Sequence, residues 1–424
     1  MHARWPGLVA LAAAALAASG CGGAGATSNE ATGNLLAIYS SLPLQGPSAA
    51  ISQQIVGGEK LALSQVGGQI GKFKIGYVSL DDSDPASGKS TPGVTATNAK
   101  TAAQDTSTIA YLGDLGSTST ALSLPLINAA GILQVSPSSP YVGLTSSLDA
   151  GQDEPERFYL SGHRTFGRLQ PGDTVQAAAQ ARLLVTLGVR RVYVLDDQDP
   201  FEEPLAKIAA ADATRAGIAV AAHDSLATVA GSVYSGEVEK IVRSGAQAVL
   251  FAGGPGPGTV ALWQALHTAA PHLLLIGSSS LTGQAFTSQL GTAAASTYLT
   301  TPILDPSQYP PASARVLADY RRTFGGEAGP YVLYGYETMS VVLDAIRAAG
   351  SHGNDRQTVI ARFFATHDRK SVLGPYSVMP DGDTTMTRYG ADRVIGGRAV
   401  FYRSFDLGAR ALAPEAPLAS GEGG

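Results

Sequence analysis

Short apolar runs alternate with longer amphipathic stretches from residue 35 onward. The runs have the length of strands, and the stretches between them have the length of helices and can end at glycine, as at Gly67-Gly68. This alternation predicts strands at 35–39, 74–80, 109–112 and 132–135, and helices at 51–66, 94–106 and 118–130. The pattern then restarts and predicts strands at 191–195, 218–222, 248–251 and 273–276, and helices at 171–187, 202–216, 233–244 and 258–269.

Repeated strand–helix units favour parallel sheets that carry helices on both faces. Because both faces of such a sheet are buried, its strands can be apolar throughout, as Val192-Tyr193-Val194-Leu195 is. Two successive runs of these units in a chain of 424 residues predict an α/β protein with two doubly wound lobes.

Composition narrows the class of protein. Hydrophobic residues make up 44% of the chain and charged residues only 15%, which is typical of a globular protein with a substantial core. The net charge is −5 and no basic run is present, so a nucleic-acid partner is disfavoured. A single cysteine cannot form an internal disulfide, and the seven histidines are scattered, so we expect neither a metal nor a cofactor.

The first 20 residues are typical of a secretory signal: Arg4 gives a positive start, and the apolar stretch at 8–18 is shorter than the about 20 residues that span a bilayer. The stretch leads into Leu16-Ala17-Ala18-Ser19-Gly20-Cys21, which resembles a bacterial lipobox. That resemblance implies a lipid on Cys21 and a body held outside the cytoplasmic membrane, in the periplasm or at the cell surface. An ordinary signal peptide with an incidental cysteine is the alternative. Residues 21–33 are predicted to form a flexible tether.

Small hydroxyl residues follow several predicted strands. Ligands of open parallel sheets bind beyond the carboxyl ends of the strands, so these residues are candidates for a binding site. They include Ser117, Thr118, Ser138, Ser139 and Ser279. The first two open a helix, whose free N–H groups and partial positive charge suit a carboxylate. Each cluster could instead be a plain helix cap, but three clusters at equivalent strand ends favour a shared site.

A series of short motifs runs through the chain in a fixed order. It consists of Gln45-Gly46-Pro47, Gly58-Glu59, the segment 113–120, Ser136-Pro137, Gly329-Pro330-Tyr331 and Leu373-Gly374-Pro375-Tyr376. Their order and spacing, from about residue 35 to 405, resemble the periplasmic leucine/isoleucine/valine-binding protein family, the type I solute-binding clamp of ABC importers.

The resemblance implies a topology with three hinge crossings, near residues 158, 302 and 374. Lobe 1 would consist of 34–158 and 303–373, and lobe 2 of 159–302 and 374–406, followed by a disordered tail at 407–424. A small-molecule ligand would lie in the cleft between the lobes and be buried when the hinge closes. The resemblance also implies an ABC permease as partner. We expect a monomer that is not an enzyme.

The family's lobe 1 ligand residues can be carried over position by position. Ser117 corresponds to the hydroxyl that holds the ligand carboxylate, and Ser138 to a main-chain contact. Pro140 replaces the family's usual threonine, and the adjacent Ser139 is the nearest substitute for its hydroxyl.

Lobe 2 departs further from the family. Phe201 corresponds to an aromatic side chain that covers the ligand, although it could simply pack on its own lobe. Ser279 stands where amino-acid binders commonly place a glutamate for the ligand's ammonium group, and an ammonium buried without a carboxylate is costly. We therefore expect a carboxylate or amide that lacks this ammonium, unless Asp196 or Asp197 supplies the negative charge.

Three other functions remain open. The glycine-rich segment 253–258 precedes a predicted helix as a dinucleotide loop would. Its spacing is not GxGxxG, however, and its two prolines lack N–H groups for a phosphate, so an enzyme is disfavoured. The same clamp could serve as the ligand-sensing subunit of a membrane receptor. It could also be a surface interaction protein that has lost the chemistry of its cleft.

Overall fold

Two separate β-sheets divide the chain into two lobes in the computed structural model, which describes residues 29–86 and 88–411. Lobe 1 begins with β1 (Leu35–Leu42), α1 (Ala49–Gln65), β2 (Gln69–Ile70), β3 (Phe73–Asp81), α2 (Pro92–Gln104), β4 (Thr108–Gly113), α3 (Ser117–Ala129), β5 (Leu133–Ser136) and β6 (Phe166–Arg168). Lobe 2 follows with α4 (Asp173–Thr186), β7 (Arg191–Asp196), α5 (Glu203–Arg215), β8 (Ala219–Ser225), α6 (Ser235–Arg243), β9 (Ala248–Ala252), α7 (Pro257–Ala269), β10 (Leu274–Gly277), α8 (Gln284–Thr287) and β11 (Thr297–Thr301). The chain returns to lobe 1 for α9 (Pro311–Phe324), α10 (Tyr331–Ala349), α11 (Arg356–Phe364), β12 (Arg369–Ser371) and β13 (Gly374–Tyr376), and then enters lobe 2 again for β14 (Arg388–Ile395) and β15 (Arg398–Asp406).

Both main sheets are mostly parallel, as the alternating pattern predicts. The lobe 1 sheet has the order β2-β3-β1-β4-β5-β6, with only β2 antiparallel to its neighbour. The lobe 2 sheet has the order β15-β14-β11-β10-β9-β7-β8, with β14 and β15 forming an antiparallel edge. Strands β12 and β13 form a separate two-stranded sheet. The prediction of an α/β protein with two doubly wound lobes is confirmed.

Each sheet buries both faces because alternate side chains of its strands enter two different cores. In β1, Ile38 packs with α1, α10 and α11, while Tyr39 packs with α2 and α3 on the opposite face. In β7, Val194 packs with α4 and α5, while Leu195 packs with α6 and α7. This period-2 division explains why the central strands are apolar along their whole length.

Two glycines bring α1 and α10 into contact through their backbones. A Cβ atom on Gly58 would lie 2.2 Å from the carbonyl oxygen of Val332, and one on Gly335 would lie 2.0 Å from that of Ile55. No side chain fits at either position. Helix α10 packs within lobe 1 and buries most of its length.

The chain passes between the two sheets three times. It leaves lobe 1 between β6 and α4, returns between β11 and α9, and leaves again between β13 and β14. The crossing placed near residue 302 falls in the second of these segments. The first and third crossings come later in the chain than residues 158 and 374, because β6 still pairs with β5 in lobe 1 and β13 still pairs with β12.

The two ends of the described chain are packed against the lobes. The amide of Ala31 donates to the carbonyl oxygen of Asn354 at 2.7 Å, and the amide of Arg356 donates to that of Asn29 at 2.8 Å. Residues 29–33 of the predicted tether therefore lie against lobe 1. At the other end, Ala411 is buried beside α4. The predicted signal peptide, Cys21 and residues 412–424 lie outside the described residues.

Across residues 29–86 and 88–411, no helix combines the length and the hydrophobicity that a membrane crossing requires.

Candidate functional site

A cavity of about 690 Å³ lies between the lobes, beyond the carboxyl ends of strands from both sheets. Its volume is in the range of small-molecule sites. Five of the six predicted ligand residues line it, namely Ser117, Thr118, Ser138, Phe201 and Ser279. That they bind a ligand stays a prediction, but the fold brings them from distant parts of the chain into one cleft.

The lobe 1 wall contains the N-terminus of α3. Ser117 and Thr118 are the first two residues of this helix, and its N-cap residue, Gly116, has no side chain to accept hydrogen bonds from the first-turn amides. The Ser117 hydroxyl accepts the amide N–H of Tyr141 at 3.1 Å, which leaves its own hydrogen available for a ligand. This wall therefore offers hydrogen-bond donors and a helix dipole to an anionic group.

The segment after β5 only partly matches the prediction. Ser138 lines the cleft, but its main-chain N–H donates to the Ser136 hydroxyl at 3.1 Å, so its carbonyl and side chain are what remain for a ligand. Ser139 does not line the cleft. Its buried hydroxyl lies 2.8 Å from that of Thr120 and donates to the carbonyl oxygen of Asp114 at 3.1 Å. The replacement of the family's threonine by Pro140 is thus not compensated by Ser139.

Phe201 reaches from lobe 2 across the cleft. It follows β7, and its ring packs edge-on against Tyr141 of lobe 1, with ring centroids 5.0 Å apart. Edge-to-face aromatic pairs of this kind contribute about 0.5–1.5 kcal/mol beyond their buried area. Of the two interpretations drawn from the sequence, a ring at the cleft fits better than one that packs only on its own lobe.

Ser279 is held by a polar network inside lobe 2. Its main-chain N–H donates to Oε1 of Gln176 at 2.8 Å, and the same oxygen accepts from the hydroxyl of the buried Tyr389 at 3.0 Å. Gln176 also donates through Nε2 to Asp173 at 3.0 Å. The network fixes the part of the cleft wall that α4 and the segment after β10 share.

Three carboxylates that the sequence did not single out also line the cleft: Asp173, Asp199 and Glu202. Burial, reinforced by the neighbouring carboxylates of Asp173, Asp197 and Asp199, raises the pKa of Glu202 to about 8. Burial likewise raises the pKa of Asp173 to about 7, although the nearby Arg168 opposes the shift. Lobe 2 therefore does place carboxyl groups at the cleft, but their raised pKa values favour the neutral forms near pH 7. The expectation of a ligand without an ammonium group stays a prediction.

The two aspartates proposed from the sequence as a source of this charge face elsewhere. Asp196 is fully buried, and its Oδ2 lies 3.0 Å from Nε2 of His223 and accepts from Ser225 at 2.9 Å. Asp197 accepts the amide N–H of Gly254 at 2.7 Å. Both side chains hold the carboxyl end of β7 in place, and neither lines the cleft.

A family model described as periplasmic binding protein matches residues 40–393, which is most of the chain. The chain belongs to this family. Periplasmic binding proteins are solute-binding proteins, and membership implies an extracytoplasmic location for the folded lobes. A sequence comparison with curated proteins returns no match.

Solved structures of other periplasmic binding proteins share this fold. A leucine-binding protein from Thermotoga maritima is 18% identical with a TM-score of 0.71, and the match covers 88% of this chain and 99% of that one. A solute-binding protein from R. palustris, in complex with benzoate, is 15% identical with a TM-score of 0.66, covering 87% and 96%. A substrate-binding protein from Streptococcus pneumoniae, in complex with isoleucine, is 18% identical with a TM-score of 0.66, covering 87% and 99%. The resemblance to the branched-chain amino-acid binders is thus confirmed at the level of fold.

In this periplasmic binding protein, the sequence does not mark the cleft carboxylates as site residues, because each lies at the start of a helix. Asp173 is the first residue of α4, and Glu202 directly precedes α5. Acidic residues are common at helix N-termini because they interact favourably with the helix dipole, so neither position signals a site in sequence. Only the arrangement of the strands shows that these two helix starts meet in the cleft.

Proposed function

We propose that this protein is a lipid-anchored solute-binding protein that captures a small polar molecule between its lobes and delivers it to an ABC importer. The observation that carries the proposal is a single cleft whose opposite walls supply the N-terminus of α3, with Ser117, and the aromatic ring of Phe201. Family membership supports solute capture, and two of the similar structures hold isoleucine and benzoate. Both of those molecules carry a carboxylate.

A thermal-shift screen tests the capture of a solute. The form that starts at Gly22 is exposed to amino acids, other small carboxylates, amides and sugars, since a bound ligand adds about 2.7 kcal/mol of stability at a hundredfold excess over Kd. Ser117→Ala should weaken binding of a carboxylate about 10- to 100-fold, which corresponds to one charge-assisted hydrogen bond. Ser235→Ala is the matched control, because Ser235 also opens a helix but lies outside the cleft. Equal losses in both variants would contradict the proposed carboxylate position.

Lipid attachment is tested at Cys21, the residue that follows the predicted signal. In cells fed labelled palmitate, the wild-type chain should become labelled and sediment with membranes. Cys21→Ser should lose the label and leave the membrane fraction. Retention of the Cys21→Ser chain on membranes in an unlabelled form would show that another segment anchors it.

Delivery to an importer is distinguished from sensing and from catalysis by the fate of the solute. We expect deletion of the gene to abolish uptake of the radiolabelled solute, and the purified monomer to return the solute chemically unchanged after incubation. Normal uptake together with a lost transcriptional response would favour a sensing subunit. Conversion of the solute would indicate an enzyme.

A further inference from the structure

The β14–β15 hairpin of lobe 2 is covered by α4 along only part of one face. On β14, Tyr389 and Ala391 are buried in the core that this face shares with α4. Side chains alternate along a strand, so Arg393 and Ile395 lie on the same face. Residues that pair directly across two antiparallel strands also share a face. On β15 the residues of this face are therefore Phe405, Arg403, Val400 and Arg398.

The part of this face beyond Ala391 is an exposed apolar strip. Ile395 is 57% exposed, Val400 is 41% exposed, and Tyr402 between Phe401 and Arg403 is 36% exposed. Strand β15 is the last strand of the lobe 2 sheet, so the strip lies at an open edge. Single exposed hydrophobic side chains are common, but several together at a sheet edge indicate a contact surface.

Three arginines surround the strip: Arg393, Arg398 and Arg403. All three are exposed, and none of them forms an ion pair with another side chain in the described part of the chain. The guanidinium of Arg393 lies 5.4 Å from the centre of the Tyr298 ring. The guanidinium of Arg403 lies 5.8 Å from the centre of the Tyr402 ring. A guanidinium held on an aromatic ring keeps its N–H groups free for a carboxylate, so this surface suits a partner that is both apolar and acidic.

The residues that follow in the chain have this composition. Leu407 and Ala411 come after β15 and already pack on the covered part of the same face. Residues 412–418 continue as Leu-Ala-Pro-Glu-Ala-Pro-Leu, in which Glu415 is the only charged residue. Residues 412–424 contain two glutamates and neither lysine nor arginine. The segment next to the strip therefore complements it in both charge and hydrophobicity.

The length and the backbone of this segment also fit the strip. Ala391 and Ile395 are about 14 Å apart at 3.4 Å per residue of strand. Residues 412–418 span about 22 Å in the polyproline II conformation that Pro414 and Pro417 favour. Proline has no N–H group to pair with β15, so the segment would contact the face through its side chains and would not extend the sheet.

A second copy of the chain is a less suitable occupant, because the edge of β15 is interrupted. Asp392 pairs with Phe401 and Ala391 pairs with Arg403, which leaves Tyr402 as an extra, bulged residue. A bulge breaks the regular ladder that an added strand would need.

We infer that residues 412–418 pack across this face, with Glu415 bound between Arg393 and Arg403. The two leucines of the segment cover the apolar strip, and the contact shields the last strand of lobe 2 from other chains. The contact is independent of the proposed solute-binding function, because the face lies outside the cleft.

Disulfide trapping tests this contact in the full chain with Cys21→Ser, which contains no other cysteine. Ala416→Cys together with Val400→Cys should form an intramolecular disulfide. We expect it to form at least about tenfold faster than the disulfide of Ala416→Cys with Val185→Cys, because docking raises the local concentration of one thiol at the other. Val185 is the matched control: it is 43% exposed, against 41% for Val400, and it lies on α4, which borders Ala411.

Removal of charge tests the role of Glu415. Glu415→Gln should slow trapping at Val400 about threefold, which corresponds to one exposed ion pair. Arg403→Gln should have a similar effect. Glu422→Gln is the control, because it removes the same charge outside residues 412–418.

Several outcomes would overturn the inference. Equal trapping rates at Val400 and Val185 would show that the segment does not occupy the strip. Disulfide-linked dimers in place of the intramolecular bond would assign the face to a second copy of the chain. Equal rates in Glu415→Gln and Glu422→Gln would contradict the position of Glu415. A circular dichroism spectrum like that of the parent chain establishes that slower trapping in a variant is not a folding defect.

Discussion

Arg168 joins three parts of the chain that meet at the hinge, so its removal should be among the costliest single changes. The side chain is 1% exposed. It connects the end of β6 to the cleft-lining segment around Tyr141 and, through Asp383, to the segment that leads back into lobe 2. Arg168→Met keeps much of the packing volume and deletes every side-chain hydrogen bond of this residue.

The expected loss follows from what the substitution leaves behind. Breaking a buried ion pair by removing one partner costs about 3–5 kcal/mol, because the other charge remains without compensation. Asp383 is 18% exposed at its side chain, so water relieves part of this cost. Two carbonyl oxygens and the Thr145 hydroxyl also lose a donor, and each such loss costs about 1–3 kcal/mol when no water replaces it. Since these contributions are not additive, we expect a loss of about 3–5 kcal/mol in total.

Urea unfolding followed by circular dichroism measures this loss. Arg164→Met is the control, because Arg164 pairs with Glu156 near the surface and should cost no more than about 1 kcal/mol. Asp383→Asn and the double variant complete a cycle that isolates the coupling between the two charges. The reasoning is wrong if Arg168→Met and Arg164→Met lose similar amounts. Loss of Arg168 should also loosen the cleft-lining segment around Tyr141 and so lower the affinity for solute. An unchanged affinity in Arg168→Met would contradict this part of the reasoning.

Two further predictions follow from the buried core of lobe 1. Burial raises the pKa of Glu59 to about 8. Above pH 4.5 the folded state therefore keeps a proton that the unfolded state has released. The free energy of unfolding should fall by about 1.4 kcal/mol per pH unit between pH 5 and 8 because of this residue. Glu59→Gln should flatten that part of a plot of Tm against pH. Gly58→Ala, which places a Cβ 2.2 Å from the carbonyl oxygen of Val332, should cost about 1–3 kcal/mol in urea unfolding, whereas Gly93→Ala, with open space around it in α2, should be neutral or slightly stabilising.

The sequence pattern predicts the central strands because burial on both faces leaves a strong signal. The predicted strands at 109–112 and 191–195 fall within β4 and β7, whose residues are almost all buried. The antiparallel edge formed by β14 and β15 was not predicted. In β14 a short buried stretch is followed by mixed positions, and β15 is mostly exposed, so neither an apolar run nor a clean alternation marks this edge.

The candidate site could be predicted on one side of the cleft more than on the other. Ser117 directly opens the helix after β4, so the rule about carboxyl strand ends finds it. Gln170, which also lines the cleft, lies in the segment that crosses between the lobes, where no periodicity constrains its surroundings. Ser139 illustrates the opposite error, because a hydroxyl next to the site can equally well be consumed by the interior.

The attachment of residues 29–31 to lobe 1 affects how the molecule can be oriented on a membrane. This segment meets lobe 1 next to the start of β1, whereas the cleft lies at the carboxyl ends of the strands, about 25 Å away along the eight residues of β1. A lipid on Cys21 would be eight residues from Asn29, and eight residues of fully extended chain span about 28 Å at most. An upright molecule would therefore point its cleft away from the bilayer. To present both lobes to an importer, the molecule would have to rotate so that its cleft faces the membrane surface. A longer segment between Cys21 and Asn29 should therefore speed delivery without changing the affinity for solute.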